Sequence, residues 1–191
     1  MISFAEIEIA LLGLLRLARF DAAFAGFFDL SQQGARRSFR LALWLLPVAL
    51  FLMHLNAKWT EETDMGRVVF GEVIGYALSW TCFPLALFYT GRFINAQSRI
   101  FGAIAIYNWL SVLSLALHLP ISLAVYYGLE PGWADDLDML AWGFVIACEV
   151  FAFWRLLGVG IAMPLALALA DFVMTIILFG LTYGLVNDMV F

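Results

Sequence analysis

Five uninterrupted apolar stretches constrain this chain more than anything else in it. A helix rises 1.5 Å per residue and needs about 20 apolar residues to cross the hydrocarbon core of a bilayer. The stretches 39–57, 68–90, 100–127, 137–157 and 161–186 each meet or approach that length. A lipid-facing segment must satisfy its own backbone polar groups, so each is read as a helix. Composition agrees: of 191 residues 64% are hydrophobic and 13% charged, against about half and about a quarter in soluble domains. The mean hydropathy is +0.95. The expected fold is an all-α integral membrane protein with one transmembrane domain, 39–191, after an N-terminal segment, 1–38.

The start of the chain differs from the spans. Its apolar run, Ile9 to Leu15, is bracketed by Glu6 and Glu8 before it and Arg16 and Arg19 after it. A cleaved signal would carry its positive charge ahead of the apolar run. Wound as a helix, Glu8, Arg16 and Arg19 share one side, and Phe4, Ile7, Leu11 and Leu14 another. The reading is an amphipathic helix at the membrane interface, with a sixth spanning segment as the alternative. Ser31 is placed as an N-cap leading into the first span, with Phe27, Phe28 and Leu30 in the headgroup region.

Lys and Arg in short loops mark the cytoplasmic side. Of the ten in the chain, eight (Arg16, Arg19, Arg36, Arg37, Arg40, Arg92, Arg99 and Arg155) fall on one side of the five spans. Lys58 and Arg67 fall on the other, beside Glu61, Glu62, Asp64, Glu130, Asp135, Asp136, Asp138 and Asp188. The N-terminus is therefore expected in the cytoplasm and the C-terminus outside. Trp59, Trp133, Tyr126 and Tyr127 would belt the outer boundary, and Tyr89 and Phe93 the inner one. Pro47, Pro84 and Pro120 lie within spans, where each removes a backbone donor and kinks its helix.

A net charge of −5 argues against nucleic acid, whose footprint is a basic patch. Cys82 and Cys148 sit in separate apolar runs and are read as reduced thiols. The chain has no GxSxG, P-loop, dinucleotide fingerprint, HExxH or GxGD, so no enzyme activity, cofactor or metal is expected.

Ionisable groups inside a membrane are costly and therefore mark function or deliberate packing. Spans four and five form a hairpin about Gly158, Val159 and Gly160. Glu149 lies eleven residues before Gly160 and Asp171 eleven after it. This spacing sets both carboxyls at one depth, about 10–16 Å below the cytoplasmic surface. A facing pair would share a proton. Asn108 is expected at similar depth, completing a cluster that either binds a proton or cation or joins helices by hydrogen bonds. Arg155 would snorkel outward or meet a carboxylate. A second polar layer, His54, Glu72 and His118, is expected near the outer surface, without the local spacing of a metal site.

The stretch Phe28-Asp-Leu-Ser-Gln-Gln-Gly-Ala-Arg-Arg-Ser-Phe39 resembles the polar lead into the first span of bacterial Yip1-like proteins. The layout of five close-set spans after a cytoplasmic segment is also similar to that of the Yip1 family. The DLYGP-type segment of eukaryotic relatives is absent, and no functional residue carries over. The leading expectation is a non-enzymatic membrane protein, in a bacterial inner membrane, acting by association with lipids, other membrane proteins or itself. Arg16, Arg19, Arg36, Arg37 and Arg40 would then anchor it to anionic lipid. The alternative is a small proton- or cation-coupled transporter using Glu149 and Asp171.

Overall fold

The computed structural model describes residues 4–56, 65–94 and 96–186, and they are helical almost throughout. Lys58, Trp59, Glu61, Glu62, Asp64 and Asp188, assigned above to the outer side, lie outside the described residues. In chain order the elements are α1 (Phe4–Leu17), a 3-10 turn (Ala22–Phe27), α2 (Gln32–Ser38), α3 (Arg40–Asn56), α4 (Met65–Phe93), α5 (Gln97–Tyr126), α6 (Pro131–Leu157) and α7 (Ala162–Val186). Among the described residues, five helical segments are long and apolar enough to cross a membrane: Gln32–Leu55, Gly66–Phe93, Gln97–Tyr126, Pro131–Leu157 and Ala162–Thr182.

Helix ends run past the apolar stretches because hydropathy registers lipid and not hydrogen bonding. The α6 helix opens six residues earlier than its apolar core. Pro131 occupies its first position, where the missing N–H costs nothing. The first span also starts early. Ser31 accepts a hydrogen bond from the Gly34 N–H (3.1 Å) and caps α2, which continues after Phe39 into α3. The boundary expected at residue 38 thus falls inside a span. Pro47, Pro84 and Pro120 lie inside α3, α4 and α5. Near Pro47 the Ala42 carbonyl accepts the Tyr76 hydroxyl (2.6 Å), tying α3 to α4.

Helix α5 is the axis of the bundle. It packs on α2, α3, α4 and α6, while α7 closes against α4 and α6. The α4–α7 approach is close because Gly75 faces Thr182, whose Cγ2 would lie 2.7 Å from a Cβ at that position. Small residues at such crossings let membrane helices pack by van der Waals contact.

The N-terminal segment is docked onto this bundle. Ala10, Gly13, Leu14 and Leu17 form the buried stripe of α1, at helical spacing of three and four. The stripe expected from sequence (Phe4, Ile7, Leu11, Leu14) is rotated from this one. Phe4 is 92% exposed, and Leu11, Leu12 and Leu15 are also open. Helix α1 therefore has two apolar faces, one spent on protein and one unspent. Phe20 meets Phe144 and Phe151 edge-on, at 6.2 and 5.5 Å between centroids. Phe28 packs on Trp109 at 6.1 Å, and Leu30 covers Gly102. These last two side chains pack on α5.

Candidate functional site

The hairpin expected to bring two carboxyls to one depth is formed by α6 and α7. The α6–α7 turn is set by Gly158, left-handed at φ 65°, a conformation glycine adopts without steric cost. The Arg99 guanidinium donates to the Leu157 carbonyl (2.8 Å), capping the negative end of α6. From that fixed turn the two helices carry Glu149 and Asp171 into the wall of one cavity. Each carboxyl lies within reach of the other's charge.

The cavity has a volume of about 380 Å3. Helix α5 lines it with Tyr107, Leu110, Ser111, Ser114, Leu115 and His118, positions spaced by three and four residues that form one face over about 16 Å. Helix α4 adds Tyr76, Ser79 and Trp80; α6 adds Trp142, Val145 and Glu149; α7 adds Asp171 and Thr175; α3 adds Ala49, Leu52 and Met53. At the carboxyl end the Tyr107 hydroxyl donates to Asp171 Oδ1 (2.8 Å). Glu149 is 3% exposed, and its Oε1 has no hydrogen-bond partner. At the other end His118 Nδ1 lies 2.8 Å from the Ser114 carbonyl. That bond makes Nδ1 a donor, while Nε2 is buried and unpartnered. The His118 ring stands edge-on to Trp142, 5.4 Å between centroids.

Two expectations are corrected, for Asn108 and for the outer polar layer. Asn108 does not join the carboxyls. Its Nδ2 donates to Ser38 Oγ (2.9 Å), and Ser38 in turn donates to the Ala35 carbonyl (2.7 Å), so Asn108 faces α2. One residue along a helix is a rotation of about 100°, and it is the neighbour Tyr107 that reaches Asp171. Arg155 is exposed, its guanidinium 5.9 Å from the Trp154 ring centroid. Among the described residues no arginine or lysine is ion-paired with Glu149 or Asp171. The layer of His54, Glu72 and His118 is divided. His54 and Glu72 interact electrostatically, whereas His118 belongs to the cavity. No group of three His, Cys, Asp or Glu among the described residues is placed to hold a metal ion.

The five expected anchors also separate. Arg16 pairs with Asp21 (2.7 Å) and lies over Phe27, 4.9 Å from the ring centroid. Arg37 pairs with Asp29 and with Glu6 (3.6 Å). These two hold the N-terminal segment together, while Arg19, Arg36 and Arg40 are exposed. Asp29 is kept below its usual carboxyl range by the Ser31 hydroxyl and N–H and by Arg37. Cys82 and Cys148 are free thiols.

The polar stripe Tyr107, Ser111, Ser114, His118 escaped the sequence reading. Its signal was there: spacings of four, three and four put all four on one helix face. No protein-family model, curated protein or solved structure matches this chain.

Proposed function

We propose that this is a non-enzymatic membrane protein that moves a proton or small cation through the cavity at Glu149 and Asp171. One observation carries the reading: two acidic side chains share the wall of an intramembrane cavity without a basic partner among the described residues. Two uncompensated negative charges are prohibitively costly within a bilayer, so the pair holds a proton or a cation. A site whose neutrality depends on a removable ion is a site for exchange. The same groups could instead be structural glue, but glue satisfies its polar atoms, and Glu149 Oε1 is left open.

The test is proton flux in reconstituted vesicles carrying an internal pH dye. Glu149→Gln and Asp171→Asn are expected to abolish flux driven by a membrane potential while helicity and monodisperse elution are kept. Undiminished flux in both folded variants, or loss of folding in both, overturns the proposal; the second outcome returns the pair to a structural role.

Lipid association is the second reading, favoured by a cavity of about 300 Å3 at the arginine-rich end, lined by Gln32, Phe88, Arg92, Gln97, Ile100 and Phe101. A basic and amide-bearing mouth over aromatic walls suits an anionic headgroup and its chain, and the open face of α1 suits the membrane interface. In this reading the arginine-rich end is cytoplasmic, the C-terminus is outside and the membrane is a bacterial inner membrane, as in the Yip1-like layout. Replacing Arg36, Arg40 and Arg92 by Gln should reduce co-purified anionic lipid measured by native mass spectrometry; unchanged lipid retention removes this reading.

A further inference from the structure

We infer that the ligand of the Glu149–Asp171 cavity is a lipophilic organic monocation, such as a quaternary ammonium or phosphonium, bound in exchange for a proton. The inference rests on the exchange reading above and adds the chemical class of the ligand.

The wall chemistry decides between cation classes. A hard inorganic ion needs a shell of oxygens, six or more for calcium. Here three of the six hydroxyls on the wall are already held by hydrogen bonds. The Tyr107 hydroxyl is spent on Asp171, Ser79 Oγ on the Tyr76 carbonyl (2.8 Å) and the Tyr76 hydroxyl on Ala42. The wall is also rich in aromatic rings: Tyr76, Trp80, Tyr107 and Trp142 all line the cavity. Ring faces attract diffuse cations that shed water cheaply, by about 0.5–2 kcal/mol per contact. The volume, about 380 Å3, lies in the range of small-molecule pockets, ~300–1,000 Å3. Met53, Leu110 and Leu115 supply an adaptable apolar wall. The Glu149 oxygen without a partner is the natural counter-charge for the cationic centre.

Charge balances in the exchange. The empty pair holds one proton; a monocation enters, the proton leaves to water, and the net charge in the cavity is unchanged. The groups facing Glu149 across the cavity are Tyr107 and His118 from α5, Asp171 from α7 and Tyr76 from α4, while α3 presents only Ala49, Leu52 and Met53. Cys82 on α4 is within electrostatic reach of Tyr107.

The experiment uses the full chain in nanodiscs in weakly buffered solution, titrated with methyltriphenylphosphonium and, separately, with sodium and potassium chloride. A pH dye reads proton release and tryptophan fluorescence reads binding. Phosphonium is expected to quench fluorescence and release about one proton per chain. Glu149→Gln should lose the release, and Trp142→Leu should weaken binding roughly 10-fold, the loss of one cation–ring contact, with Trp142→Phe in between. Three outcomes overturn the inference: no phosphonium binding, binding without proton release, or release by sodium or potassium alone. If Glu149-dependent flux in vesicles persists while phosphonium fails to bind, the ligand class is wrong and the exchange site stands. If that flux is also absent, both fall.

Discussion

Gly158→Ala is the sharpest test of how the carboxyls are brought to one depth. Gly158 sits at φ 65°, where a Cβ costs about 1–2 kcal/mol. A Cβ there would also run into the Arg99 guanidinium. The guanidinium must withdraw, and in doing so it gives up its bond to the Leu157 carbonyl; a hydrogen bond to a charged group is worth about 1.5–3 kcal/mol. Removing a glycine also stiffens the unfolded chain, which returns about 0.4–1 kcal/mol. The net expectation is a loss of about 2–4 kcal/mol. Equilibrium unfolding in mixed detergent micelles measures it, and a double-mutant cycle with Arg99→Ala isolates the cause. In the Arg99→Ala background the glycine substitution should cost only about 1 kcal/mol, because only the backbone strain remains. Additive losses would refute the claim that Arg99 and Gly158 act on one another. A loss below about 0.5 kcal/mol for the single change, the size of an ordinary surface substitution, would refute the turn geometry itself.

Other consequences can be checked together. Tyr107→Phe removes the donor to Asp171 while keeping the ring, so vesicle proton flux should fall in a protein that still folds, with a stability loss of about 1–3 kcal/mol; unaltered flux would exclude Tyr107 from the site. Ser38→Ala leaves buried Asn108 without its partner and should cost about 1–3 kcal/mol by the same unfolding assay, with no cost expected if the side chains do not meet. Acid should loosen the N-terminal segment. The folded-state value of Asp29 is depressed from 3.8, so its contribution is present above that value and is lost as the pH falls through the folded value. Protease resistance of the first 38 residues should therefore hold from neutral pH to about 4 and drop below it, and Asp29→Asn should remove the step. Ser31→Ala, which deletes the α2 cap, should cost about 0.5–2 kcal/mol.

What could be read from the chain, and what could not, divides along one geometric line. Counting residues fixes height along a helix. The eleven-residue spacings about Gly160 placed Glu149 and Asp171 at one level, and the structure puts them in one cavity. Counting does not fix azimuth when every side of a helix is apolar. Asn108 was matched by height to the carboxyls but points away from them, and His118 was matched to His54 and Glu72 but faces Trp142. Helix α1 shows the same limit: with apolar residues on two sides, its pattern could not say which side the bundle would take. A buried soluble helix advertises its inner face through polar residues on the outer one; a membrane helix has lipid there and loses that contrast. The polar residues of α5 were the exception that could have been used, since four of them at helical spacing define a direction.

Tyr107 and Asn108 are joined by a single peptide unit, one bonded into the cavity and the other to the N-terminal segment. That unit works as a shared axle. A twist of α5 that draws the Tyr107 hydroxyl off Asp171 swings the Asn108 amide against Ser38 by the same angle. If filling the cavity turned α5 in this way, a label beside Ser38 would report it from the far side of the bundle.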